Sequence, residues 1–444
     1  MNQTWWSFLR GLVRRRLEGR HDLQKIIGNT AFLFADQIVR MGVGLVVGVW
    51  VARYLGPARY GQLNYSVAFV ALFSAVAPLG LNDIVVRNIV RDPASKEKVL
   101  GTAFVLKLMG GMAAVGLTLI GAIIVRPSDR LTQWLVGIIA VGTIFQAFDA
   151  IDYWFQSQVQ SKYTVYARNS AFLLLSIVKI FLIIVKAPLI AFAWAGLAEI
   201  AVGSLGLIVV YEANGNSLTS WRASLRSAKA LLRDSWPLIF SGIVIMIYLR
   251  IDQVMLGQMV GDGEVGIYSA AVRLSEVWYF IPMAVVPSFF PSIVEAKDVS
   301  DELFYQRLQK LYNMMALVAY LVAVPVTFLS GWVVDILFGP AYRKAGSMLA
   351  VLIWAGLFVN LGVARSSFLT TMNWTRIHLM SVFLGSLINV ALNFLLIPYY
   401  GGMGAAIASC VAYWAAAHGA CFVYKPMYKT GWMLTKAMIY PKVW

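Results

Sequence analysis

Six basic side chains lie inside stretches that are otherwise apolar: Arg40, Lys107, Lys179, Arg250, Arg273 and Arg365. Four of the six are arginine. A planar guanidinium engages an oxyanion through two parallel hydrogen bonds, so arginines gathered around one space suit a phosphate or diphosphate group. Acids share these stretches. Asp36 precedes Arg40 by four residues, the favourable order for an intrahelical pair. Arg250 and Asp252 are two residues apart, so they point to different sides of a helix and need partners elsewhere. Arg273 with Glu276, and Asp149 with Asp152, are spaced i, i+3; Gln146 and Gln156 flank the second pair. Lys107, Glu199 and Asp83 fit inter-helix ion pairs or side chains snorkelling from the ends of their spans. Asp149 and Asp152 approach the end of their stretch, where partial solvation accounts for them as well as a functional role does.

The stretches carrying these charges are long enough to cross a bilayer. The chain has 444 residues, of which 60% are hydrophobic and 13% charged. A soluble chain has roughly 45–50% apolar and about 25% charged residues. Apolar blocks of about 20 residues match the length of a membrane-spanning helix. Twelve spans are expected, at 27–51, 63–86, 99–125, 132–156, 167–187, 189–211, 236–259, 266–293, 311–337, 346–371, 377–398 and 402–424. The expected fold is an all-α polytopic membrane protein. A charge at the centre of such a span costs about 2.5–3.5 kcal/mol on insertion scales, so it marks a pathway or a partner. Arg40, Lys179, Arg250, Asp252, Arg273 and Arg365 are too deep to reach water by snorkelling, and a water-filled cavity fits them better than isolated ion pairs.

An even span count puts both termini on one side, and the loops of that side hold 24 of the 37 lysines and arginines against 7 on the other. The positive-inside rule makes the terminal side cytoplasmic. The net charge of +16 is therefore explained by orientation, without a nucleic-acid partner. Arg53 and Arg59 run against the bias. They either sit in their short loop without a role or receive an anionic head group at the outer mouth. The basic run Arg10–Lys25 is too polar for a cleavable signal. It is either a frayed tail or a helix lying on the membrane, with Trp5, Trp6, Phe8 and Leu9 in lipid.

The chain repeats itself. Leu55-Gly56 matches Leu256-Gly257, Gly61 matches Gly266, and Tyr65-Ser66 matches Tyr268-Ser269. Two six-span halves with the same orientation follow, related by an axis along the membrane normal. The expected division is a cytoplasmic basic segment at 1–26, a first bundle at 27–211, a linker at 212–235, a second bundle at 236–424 and a cytoplasmic tail at 425–444. Prolines 78, 282, 287, 291 and 325 in or near the spans are expected to kink them.

No GxxxxGK[ST] loop, HExxH or GxSxG motif occurs, and no soluble segment is long enough for an enzymatic domain, so no catalytic residues are expected. Cys410 and Cys421 lack metal-site or disulfide-framework spacing. No metal site or bound cofactor is expected.

Ala31–Ile89 and Tyr248–Pro282 resemble the openings of the two halves of bacterial polysaccharide flippases of the Wzx/RfbX type. These belong to the MOP exporter superfamily, with the MATE exporters and MurJ lipid II flippases. The resemblance implies two pseudo-symmetric six-helix bundles around a central cavity in the bacterial inner (plasma) membrane. It implies a cargo of polyprenyl-diphosphate-linked oligosaccharide, moved from the cytoplasmic to the outer leaflet by alternating access for surface polysaccharide such as O-antigen or exopolysaccharide. Polysaccharide polymerase and glycosyltransferases are the implied partners. Arg40, Lys179, Arg250, Arg273 and Arg365 then become candidate cavity residues. Asp36, Asp252, Glu276, Asp149 and Asp152 become their charge partners or sites of coupling to H+ or Na+. The alternative is a MATE-like ion-coupled exporter of small molecules, which would favour an acid-lined site for cations.

Overall fold

The computed structural model describes residues 21–442. The expected surface segment around Trp5, Trp6, Phe8 and Leu9 lies outside the described residues. Among the described residues every regular element is helical. Helix α1 runs from His21 to Ser74, but Gly56 interrupts it at φ 70°, ψ 170°. Only glycine adopts such a φ cheaply, and Pro57 has no N–H to lose at the start of the next helical turn. Thus α1 crosses twice. The second crossing breaks again after Ser74, where Leu79 (φ 51°) and Gly80 (φ 60°) reverse the backbone, and resumes as α2 (Asn82–Arg91). The expected continuous span 63–86 is therefore two helices, because Pro78 and Gly80 cannot sustain one.

The first half continues with α3 (Lys96–Val125), α4 (Arg130–Phe145), α5 (Ala150–Ser157), α6 (Lys162–Ile184) and α7 (Leu189–Ala213). The second comprises α8 (Leu225–Met259), α9 (Asp262–Glu276), α10 (Phe280–Val299), α11 (Asp301–Leu337), α12 (Lys344–Thr371), α13 (Thr375–Tyr400) and α14 (Gly402–Ala417). A 3₁₀ turn, Gln146–Asp149, joins α4 to α5, and another, Val277–Tyr279, joins α9 to α10. Ten helical stretches are long and apolar enough to cross a membrane alone. Dividing α1 at Gly56 and adding the shorter α14 gives twelve crossings in two pseudo-symmetric six-helix bundles. After α14 the chain leaves the expected span 402–424 early. It folds α15 (Tyr428–Ile439) back along α11, where Gln309 Nε2 donates to Met433 O at 3.0 Å and Tyr320 Oη to Met438 O at 2.6 Å.

The two ends of the bundle differ. At the end holding Gly56, α1 is buried nearly all round from Val47 to Ala52; nearer its start, Gln37 to Val39 are exposed. The same gradient runs down α8, from the buried Asp252–Val254 to the half-exposed or exposed Ser241–Arg250. The two halves thus close on each other at the Gly56 end and part toward the end holding the α7–α8 linker. Without a hydrophobic drive in lipid, such closure needs small residues that let backbones touch. A Cβ at Gly61 would overlap the Asp262 carbonyl, and one at Gly266 would overlap that of Pro57. The two glycines that match in the internal repeat therefore meet where the halves cross.

Candidate functional site

A cavity of about 660 Å³ lies between the halves, lined by α1, α8, α9 and α10, within the range of small-molecule sites. Tyr60 and Asn64 mark its closed end, and Phe280 and Met283 lie toward the other. Its charged lining is Arg40, Arg250, Arg273 and Glu276. Three guanidiniums thus face one carboxylate.

Among the described residues none of the three guanidiniums is saturated. Arg250 Nη1 stands 4.0 Å from Glu276 Oε1, a loose pair with both side chains about a third exposed (33% and 34%). Arg273 donates through Nη2 to Gly44 O at 2.5 Å, and its guanidinium lies so close to Gly48 that a Cβ there would overlap it. Arg40 stacks over the Phe172 ring at 5.0 Å, a contact worth about 0.5–2 kcal/mol. No ion pair joins Arg40 to Asp36 among the described residues. Asp36 instead accepts a hydrogen bond from Asn169, one turn before Phe172 on α6, so both charges of α1 are turned toward that helix. Because Arg273 reaches Gly44, Arg40 stands one turn farther from the closed end than Arg273 does.

The other sequence candidates lie elsewhere. Lys179 does not line the central cavity: its Nζ pairs with Glu199 Oε2 at 2.7 Å between α6 and α7. Arg365 is 2% exposed inside the second half, donating to Cys421 Sγ at 3.4 Å, with Nε unpartnered among the described residues. Asp149 accepts from Lys107 at 3.0 Å and Arg168 at 2.8 Å, and Asp152 lies 3.7 Å from Arg168. Arg53 and Arg59 are exposed at the Gly56 end.

Asp252 does point away from Arg250, as the two-residue spacing demands. It is buried in the second half and accepts from Tyr268 Oη at 2.9 Å, from Asn393 Nδ2 at 2.6 Å and from Ser409 Oγ. No cation pairs with it among the described residues. A buried carboxylate held only by neutral donors retains much of its desolvation cost. Asn393 Oδ1 is buried nearby without a hydrogen-bond partner among the described residues.

Sequence reasoning missed the contact that closes the cavity. Arg126, in the α3–α4 loop, grips Asp262 of the second half with both nitrogens, at 3.0 and 2.8 Å. It also donates to Gly257 O at 2.9 Å and lies 3.8 Å from the centre of the Tyr65 ring. Asp129 (3.2 Å) completes its shell. Tyr342 Oη reaches Ala52 O at 2.7 Å. In the sequence Arg126 is one of seven basic residues in the loops of the less basic side, and nothing there singles it out.

This architecture defines a class: a polytopic helical transporter whose two six-crossing halves flank a charged cavity. Known structures share it. The inward-facing conformation of a multidrug resistance MATE family transporter of the MOP superfamily matches 89% of this chain and 95% of its own, with TM-score 0.74 and 16% identity. The lipid II flippase MurJ in an inward closed conformation matches 94% and 91%, with TM-score 0.70 and 15% identity. The chain belongs to the polysaccharide biosynthesis protein family, whose sequence profile covers residues 26–297. A curated relative, the probable flippase AglR of Haloferax volcanii, is 24% identical over 400 residues, 88% of this chain and 81% of that protein.

Proposed function

We propose that this protein is a flippase that carries a polyprenyl-diphosphate-linked oligosaccharide from the cytoplasmic to the outer leaflet of the plasma membrane, supplying surface polysaccharide synthesis. The observation that carries this reading is the set of three incompletely partnered guanidiniums around one carboxylate in a cavity closed at one end. The diphosphate binds among Arg40, Arg250 and Arg273, and the polyprenyl chain stays in lipid. The linker end, with both termini, faces the cytoplasm, which makes the geometry inward-open, and Arg53 and Arg59 lie at the outer mouth. Alternating access rocks residues 27–211 against 236–424 about the 212–235 linker. The protein performs no catalysis. Glycosyltransferases supply its cargo and a polymerase consumes it.

Coupling to H+ or Na+ is assigned to Asp252. A hard cation prefers oxygen ligands, and Tyr268, Ser409 and Asn393 supply oxygens beside the carboxylate; a proton would equally relieve the buried charge. Transport by Asp252→Asn that keeps the wild-type dependence on both gradients would remove that assignment. A MATE-like exporter of cations fits less well, since among the described residues Glu276 is the lone acid of the central cavity. Deletion of the gene separates the two readings. The flippase reading expects lipid-linked repeats to accumulate on the cytoplasmic leaflet with loss of surface polysaccharide, and unchanged polysaccharide would sink it.

A further inference from the structure

The first half encloses a second cavity, of about 140 Å³, between α1, the 3₁₀ turn that joins α4 to α5, α6 and α7. Its polar lining is Arg40, Gln146, Asp149, Arg168, Glu199 and Ser204. Arg40 lines both cavities, so this residue stands between them. We propose that this side pocket receives one sugar ring of the cargo while the diphosphate is held in the central cavity, which makes it the element that selects among glycans. The proposal rests on the lipid-linked glycan reading above.

The two cavities differ in charge balance. In the central one, guanidiniums outnumber carboxylates. In the side pocket each carboxylate is already compensated: Asp149 Oδ2 by Lys107 at 3.0 Å, Asp149 Oδ1 by Arg168 at 2.8 Å, and Glu199 Oε2 by Lys179 at 2.7 Å. A free cation would find no unpaired carboxylate there, and Arg168 is itself engaged by Asp149 and Asp152, so a phosphate is better served by the looser guanidiniums of the central cavity. A neutral polyol needs no surplus charge. Each carboxylate oxygen keeps a lone pair after its ion pair, so Asp149 and Glu199 accept from hydroxyls. Arg40 and Arg168 donate to them, and Gln146 and Ser204 do either.

The backbone is arranged for this. The break between α4 and α5 is a 3₁₀ turn covering Gln146 to Asp149. At three residues per turn, positions i and i+3 eclipse, so Gln146 and Asp149 face the pocket in closer register than the i, i+3 positions of an α-helix would. Ile200, Gly203 and Leu207 supply an apolar wall for the C–H face of a ring. At about 140 Å³ the pocket is far smaller than the central cavity of about 660 Å³, a space for a ring-sized group and not for a whole oligosaccharide head group.

Two variants probe the pocket without touching its ion pairs. Gln146→Leu removes a donor and an acceptor. Gly203→Ala adds a methyl on the pocket wall whose nearest neighbour is Ala171 Cβ at 3.7 Å, an ordinary contact. Binding is measured on the full chain in lipid nanodiscs with two probes: undecaprenyl diphosphate, and the lipid-linked repeat unit extracted from source cells depleted of this protein. Both variants are expected to weaken the glycosylated probe about ten-fold and to leave undecaprenyl diphosphate within about two-fold, while Arg250→Ala weakens both; a loss of this size is typical where a site's polar groups are left unpaired. Equal losses for the two probes in the pocket variants, or no loss for the glycosylated one, overturn the proposal and leave the flippase reading standing. A wild-type protein that binds neither probe overturns that reading, and the side pocket's role with it.

Discussion

Arginine closes this protein at one end and leaves it unsatisfied in the middle. At the Gly56 end, Arg126 has a bidentate carboxylate, a second carboxylate, a backbone carbonyl and an aromatic face, and it is only 12% exposed. In the cavity, Arg250 has one carboxylate at 4.0 Å, Arg273 one carbonyl and Arg40 one ring. A guanidinium carries five donors. One that spends them on protein is a fastener, and one that keeps them is available to a ligand. The charge of the residue is the same in both places; the number of committed donors separates the roles.

The largest expected effect comes from removing the uncommitted cations. Arg250→Ala and Arg40→Ala should abolish transport, read as surface polysaccharide output, while the protein still inserts in the membrane and folds. Normal output from both would erase the distinction, since cavity arginines would then be as structural as Arg126.

Loosening the fastener should act on conformation before it acts on cargo binding. Arg126→Ala removes charge-assisted hydrogen bonds worth about 1.5–3 kcal/mol each, enough to move the balance toward a state open at the Gly56 end by roughly ten-fold per 1.4 kcal/mol. Spin labels at Arg59 and Arg343, both exposed at that end, should report a longer distance population in a variant with Cys410 and Cys421 replaced by Ala. Gly266→Ala should lengthen the same distance by wedging the Pro57 carbonyl, at about 1–3 kcal/mol. An unchanged distance in both would mean that the closure is held elsewhere. Lys179→Gln should matter less than either cavity variant, because Lys179 is committed to Glu199 at 2.7 Å outside the central cavity; a loss of transport equal to that of Arg250→Ala would contradict this placement.

The same contrast explains what the sequence disclosed. Charges in apolar runs announce themselves, so Arg40, Arg250 and Arg273 stood out, but together with Lys179 and Arg365 and with Glu276 only among five candidate charge partners, and the two-residue spacing of Arg250 and Asp252 pointed them to different sides of the helix. The twelve crossings followed from composition and length. Spacing along one helix was a poor guide to ion pairs. Asp36 chose Asn169 over Arg40, and Glu276 pairs with Arg250 across helices, because partners on neighbouring helices are as near as partners one turn away. Lys179 and Arg365 carried the same signal as Arg250, yet they face into their own halves; the direction in which a helix turns a side chain depends on packing that a single span does not encode. Arg126 lies in a loop, where a charge attracts no notice. Gly61 and Gly266 stood out as a repeat, but their meeting at the crossing of the halves required the fold.

The smallest effect concerns acid. Asp129 caps α4, accepting from Thr132 N at 3.0 Å and Thr132 Oγ1 at 2.5 Å. Partial burial pushes its carboxyl up, but the two Thr132 hydrogen bonds and the Arg126 guanidinium outweigh this and hold it below the usual carboxylate range. A carboxyl depressed in the folded state contributes stability that is fully present above its unfolded value of about 3.9 and is lost only as pH falls through the folded one. The Arg126–Asp129 contact should therefore be indifferent to any pH between 5 and 8. The Arg59–Arg343 distance should stay constant over that interval at fixed salt, and Asp129→Asn should shift it slightly without introducing a pH dependence. A closed end that loosened between pH 7 and 5 would show that a group other than Asp129 gates it. The fastener would then be part of the coupling machinery, and the separation between committed and uncommitted arginines would no longer divide structure from transport.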